Sequence, residues 1–151
     1  MNYELLIQQT KMESQALEHV TRALEVVLGW IVEGGDYSRK LSSVRFLTES
    51  YQRHLERLFA LEETDGFLKG ISRLNPELAS QVDHLEQEHE QVRAEVRQLV
   101  MRVDLSLPTQ QVEFDATCVQ LRITINQVLE HLHREGELLV KSFQRDIGGE
   151  G

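Results

Sequence analysis

The sequence predicts an all-α protein, an up-down-up-down bundle of four long helices. Three observations carry that expectation. Strand signals are scarce, and Glu, Gln, Leu, Arg and Ala, which favour helix, dominate long segments. Turn chemistry is concentrated at three places. Between those places apolar residues recur three and four apart, the spacing that keeps one helix face inward.

The first turn is "EGGDYS" (33–38), with two glycines and an aspartate. The second is "LNPE" (74–77), which puts Asn75 at a cap position and Pro76 at the first helical position. The third is "DLSLPTQ" (104–110), with Ser106, Pro108 and Thr109. They divide the chain into helix A (about 3–33), B (about 38–73), C (about 76–103) and D (about 109–145). Gly66 and Gly70 are candidates to interrupt the end of B. Short connections make antiparallel neighbours the simplest arrangement. The 151 residues suit a single domain, residues 1–151, with one core.

Helix C has the clearest period: Leu78, Val82, Leu85, His89, Val92, Val96, Leu99 and Val103 form a heptad seam with His89 inside it. Helix D repeats the pattern through Phe114, Cys118, Leu121, Ile125, Val128, Leu132, Glu135 and Leu139. His131 lies four residues before Glu135, on the same face. In helix A the stripe is Met12, Ala16, His19, Ala23 and Val27; in B it is Leu47, Tyr51, His54, Leu58 and Glu62. Each helix thus offers an imidazole or carboxylate to the interior. Taken singly, such residues are ordinary: a satisfied core histidine, an i, i+4 surface pair, or a solvated face such as "HLEQEHEQ" (84–91). Taken together they are costly in a dry core unless paired or coordinated. Imidazole nitrogen with carboxylate oxygen suits zinc, iron or manganese. His133 and Glu137 lie off the His131–Glu135 stripe and are expected to face solvent.

Composition excludes several classes. The formal charge of −9 argues against nucleic-acid binding, which needs a basic face, and against adsorption to anionic membrane. The lone cysteine, Cys118, permits no disulfide within the chain, and its seam position reads as a small core residue rather than a redox thiol. No apolar run approaches bilayer length and no basic-then-apolar start is present, so cytoplasmic residence is the expectation. No Ser/His/Asp set, phosphate loop or zinc motif points to an enzyme; peroxide reduction or iron-centred repair would be the enzymatic alternative.

The order of these residues resembles the hemerythrin-like, or HHE cation-binding, domains over nearly the whole chain. "ALEH" (16–19) resembles the family's first-helix histidine, and "LFALEETDGFL" (58–68) its second-helix segment. "LEQEHEQVR" (85–93) resembles the third-helix "EH" motif. "HLHREGELLVKSFQRDIGGEG" (131–151) resembles the ending of one bacterial branch and is the most specific of the four. The resemblance implies a non-haem iron site, usually two irons bridged by carboxylates, that binds dioxygen or senses oxygen, nitric oxide, peroxide or iron. Carried over by position, its ligands are His19, Glu62, His89, His131 and Glu135, with Glu62 and Glu135 bridging. The chain departs from the family at Leu58, where a histidine is expected; His54, one turn earlier, is the nearest imidazole and the candidate replacement. Signalling would then require a separate partner or a homodimer. The competing expectation is a metal-free bundle that kept the shape and acts as a protein-interaction module.

Overall fold

The computed structural model describes residues 3–64 and 67–148. The described residues are helical and contain no strand. Among the described residues the α-helical segments are α1 (Tyr3–Leu28), α2 (Ser38–Thr64), α3 (Phe67–Leu74), α4 (Ala79–Leu105) and α5 (Gln111–Gly148), with a 3-10 turn over Pro76–Leu78. They form a helical bundle in which α1 packs on α2, α2 on α4 and α4 on α5, while α1 touches α5 only sparsely. No helix among them is long and apolar enough to cross a membrane.

Two features differ from expectation: the end of helix A and the cap at Asn75. Helix A stops at Leu28 rather than near 33, because the buried Lys40 donates from Nζ to the Leu28 and Trp30 carbonyls and satisfies the helix end. Gly34 and Gly35 then take positive φ (77° and 76°), a conformation that suits glycine. The Asp36 carboxylate accepts the Ser38 N–H, satisfying a free donor at the start of α2. Helix B is described as α2 and α3, on either side of residues 65 and 66; the interruption expected at Gly66 lies outside the described residues, and Gly70 sits inside α3 without ending it. Pro76 does start a helical turn, but Asn75 makes no side-chain cap. Its amide donates instead to Ser142 Oγ (3.0 Å), tying the end of α3 to α5.

The apolar residues form two clusters. The larger joins α1, α2, α4 and α5 and includes Leu24, Val44, Leu55, Phe59, Val96, Phe114 and Ile125. Tyr37 packs edge-on against Phe114 in it (6.1 Å), so it is a core residue. Cys118 is buried there too, and burial pushes its thiol up to about 11, which suits a small core residue rather than a redox thiol. The smaller cluster joins α3, α4 and the end of α5 through Leu68, Ile71, Leu78, Val82, Leu85 and Leu138. Between them each of three helices carries a polar layer. Glu62 falls between Phe59 and Leu68, His89 between Leu85 and Val92, and His131 with Glu135 between Val128 and Leu138.

Every residue of the helix C seam is buried, His89 included. The helix D seam holds to Val128 and then drifts. His131, Glu135 and Leu138 are buried, while Leu132 and Leu139 are only partly so. A straight helix turns by 3.6 residues, so a strict 3.5-residue stripe walks off the buried face over 38 residues.

Candidate metal centre

The helix C seam delivers the His89 imidazole to the middle of the bundle with no solvent exposure. Its Nε2 lies 2.7 Å from Glu135 Oε1 and 3.1 Å from Glu62 Oε2. Its Nδ1 is 2.8 Å from Glu63 Oε1. The His131 ring, one turn before Glu135 on α5, stands edge-on to it at 4.9 Å. His131 Nδ1 is 2.6 Å from Glu88 Oε2, and its Nε2 is 2.5 Å from Glu135 Oε1. Phe59 stacks on the His89 ring at 3.9 Å and closes one side.

These contacts sort into an inner and an outer set. The inner atoms are the two Nε2 nitrogens and the Glu135 oxygen that both approach; His89, His131 and Glu135 each offer a ligand atom within 4.8 Å of the other two. The outer carboxylates hold the opposite ring nitrogens: Glu63 on His89 and Glu88 on His131. Each is anchored by a guanidinium. Arg93 binds both oxygens of Glu63 at 2.8 Å, and Arg134 reaches Glu88 at 2.7 Å. An imidazole whose outer nitrogen donates to a fixed carboxylate turns its inner nitrogen toward the centre, the arrangement that orients metal-ligating histidines. His89, His131 and Glu135 could therefore hold a metal ion.

Two atoms support that fit. His131 Nε2 and Glu62 Oε2 are buried without an aligned hydrogen bond, although each lies close to a neighbour of opposite character. Such atoms are costly unless something else satisfies them. The carboxylates of the centre divide into one neutral and one charged group, as expected for two acids in one dry site. Burial, with Glu135 alongside, raises Glu62 to about 8 against the pull of His89. Burial alone would raise Glu135 as well, but contacts from His131, His89 and Glu62 hold it down to about 2. For His89 burial works against the proton, but Glu135, Glu62 and Glu63 outweigh it and raise the ring to about 10.

Of the six site residues expected from sequence, four come together and two do not. Glu62, His89, His131 and Glu135 meet in the polar layer. His19 is exposed on α1, and Met12 of the same stripe is 68% exposed. The buried face of α1 runs instead through Leu6, Leu17, Thr21, Leu24 and Leu28. His19 stands two residues from Leu17, about 200° around the helix. His54 is turned toward α1, where its Nδ1 meets Glu13 Oε2 at 2.8 Å. It lies two turns before Glu62, about 12 Å along the axis. Because α1 ends early, the residue level with His54 is Glu13 rather than His19. Leu58 is buried in the larger apolar cluster. His133 and Glu137 pair with each other at 3.2 Å on the exposed surface, as their position off the stripe implies.

Sequence reasoning missed the outer set. Glu88 lies in the stretch 84–91 that reads as a solvated face, and Glu63 carries no period of its own, yet both are partly covered and hydrogen-bonded to the histidines. The signal was adjacency: Glu63 follows Glu62 and Glu88 precedes His89. No protein-family model matches the chain, and neither a curated protein nor a solved structure matches it.

Proposed function

We propose that the protein is a non-haem iron-binding bundle, hemerythrin-like and up-down-up-down in connectivity, that binds or senses dioxygen, nitric oxide or redox state. The observation that carries this reading is the pair of buried histidines, each oriented from behind by an anchored carboxylate, converging on Glu135. Two histidines and one carboxylate with open positions suit ferrous iron. Glu62 is the fourth donor in reach of the same layer, 3.1 Å from His89. The gathered donors favour one iron. A second would need His19 and His54, which stand apart.

Bound iron would supply the site for a diatomic ligand. The chain's own residues do the rest. Glu63 and Glu88 fix the ring orientations, Phe59 excludes water from the His89 face, and Arg93 and Arg134 keep the outer carboxylates charged and in place. Burial keeps the inner donors out of competition with solvent.

The test is iron per chain in protein expressed with iron and purified without a histidine tag. The expected value is close to one, falling to background in Glu135→Ala. Iron absent from the wild type, with a melt indifferent to chelator, would sink the reading. That outcome favours the second reading, a metal-free interaction module. The pairing of both His89 ring nitrogens with protein carboxylates, Glu63 on one and Glu135 on the other, and the apolar Leu58 are what speak for it.

A further inference from the structure

The centre is closed on three sides. Phe59 covers the His89 ring, Glu63 with Arg93 covers its Nδ1, and Glu88 with Arg134 covers Nδ1 of His131. The side between α1 and α5 is different. A cavity of about 410 Å³ opens to the surface there, with the buried Glu62 and Glu135 at its inner end. An apolar cavity of roughly 150 Å³ already holds a benzene-sized guest, and organic ligands commonly occupy roughly 300–1,000 Å³.

The sequence builds this gap. Along α1 the lining residues are Thr10, Ser14, Leu17, Glu18 and Thr21; all but Glu18 form one stripe at spacings of four, three and four. Thr10, Ser14 and Thr21 are short and leave the space toward α5 unfilled, where α1 and α5 touch only sparsely. The Thr10 and Thr21 hydroxyls donate to the Leu6 and Leu17 carbonyls, so they bring no unmet polarity. Across the gap α5 presents Leu132, Gly136 and Leu139, and Phe67 of α3 adds an aromatic wall. Gly136 is the telling residue. It lies inside a helix, where glycine is the least favourable residue after proline. A side chain there would meet no atom within 4 Å, so close packing does not demand glycine either. Its effect is to leave the gap clear beside Glu135. Among the described residues the lining contains no lysine or arginine, and its charged members are Glu18, Glu62 and Glu135. An apolar wall over a carboxylate floor disfavours an anion.

We propose that the gap between α1 and α5 is the ligand pocket of this centre, admitting an uncharged organic molecule the size of a single aromatic ring and rejecting anions of the same shape. What the ligand does there rests on the iron reading above; its binding to the pocket does not.

The test uses full-length, metal-stripped protein with labelled methyl groups, titrated separately with benzyl alcohol and with benzoate. The Leu17, Leu132 and Leu139 methyls are expected to shift saturably with benzyl alcohol, and benzoate to bind about tenfold more weakly or worse. Gly136→Leu should abolish the response while Gly136→Ala keeps it. Ser14→Leu closes the gap from α1 and should act like Gly136→Leu if the latter folds poorly. No response in the wild type, equal responses to the two probes, or a response that survives both leucine variants overturns the pocket. A second arm follows nitric oxide association with iron-loaded protein, expected to slow about tenfold in Gly136→Leu relative to Gly136→Ala. An unchanged rate overturns the gap as the route to the metal. Failure to load iron counts against the iron reading alone, because the metal-free titration decides the pocket.

Discussion

Helices α4 and α1 each place a histidine in an apolar stripe of seven-residue spacing, and only one of the two is inside. In α4 the apolar residues from Leu78 to Val103 follow a dominant line, and His89 lies on it with every member buried. In α1 apolar residues occur around most of the circumference, among them Leu5, Leu6, Ile7, Met12, Leu17, Val20, Leu24 and Val26. Several stripes are then available. The one carrying Leu6, Leu17, Leu24 and Leu28 is buried, which leaves Ile7, Met12 and Val26 exposed together with His19. A period specifies an inward face only where the opposite face is polar enough to forbid the alternatives. The resemblance in "ALEH" was carried by letters; the packing of α1 follows its leucines.

The largest effect that separates the two helices should come from removing the histidines. His89→Ala leaves Glu135, Glu62 and Glu63 facing a hole without their shared proton. It should cost about 3–5 kcal/mol in denaturant unfolding of the metal-free protein. His19→Ala is the smallest effect expected, within about 0.5 kcal/mol. A comparable loss at both sites would erase the distinction drawn between α4 and α1.

Next come the orienting carboxylates. Glu88→Gln and Glu63→Gln should each weaken metal binding about 10–100-fold by competition titration, with the helical content unchanged. Glu13→Gln, the partner of His54 outside the centre, should leave metal affinity where it was.

Acid and base then distinguish the metal-free centre from the loaded one. His89 is raised from 6.5 to about 10, so its contribution is complete below pH 6.5 and is lost as pH climbs toward 10. Glu62, raised from 4.5 to about 8, adds loss of the same sign between those values. Glu135 is depressed from 4.5 to about 2, so its contribution is present above pH 4.5 and disappears as pH falls toward 2. Metal-free protein should therefore be most stable near pH 4.5, melt progressively lower above it as Glu62 loses its contribution, and fall most steeply between pH 6.5 and 8, where the Glu62 and His89 losses overlap. Iron competes with those same protons, so the stabilisation by added ferrous iron should grow over that interval. Melts recorded with and without iron at pH 6, 7 and 8 check both slopes.

A smaller change is expected at Leu58. Leu58→His adds a donor one turn before Glu62 and should raise iron retained through dialysis. It should also lower metal-free stability by about 1–3 kcal/mol, because a polar ring enters a packed apolar cluster. Unchanged iron would mean that α2 contributes to the centre only through Glu62 and Glu63.

The sequence by itself determined the helical class, the breaks near 34, 75 and 107, the buried face of α4 and most of that of α5. These follow from local turn chemistry and from periods long enough to leave one solution. It also carried His89, His131, Glu135 and Glu62 as inward groups, since each lies on such a stripe. Only the tertiary structure decided which face of α1 is inside, that His54 meets Glu13, and that Glu63 and Glu88 stand behind the histidines. Those outcomes depend on where one helix stops relative to its neighbour. The Lys40 side chain ends α1 about five residues before its apolar run would suggest, and every level on that helix moves with it. A shift of that kind costs a helix little locally and is settled by the packing of the whole bundle.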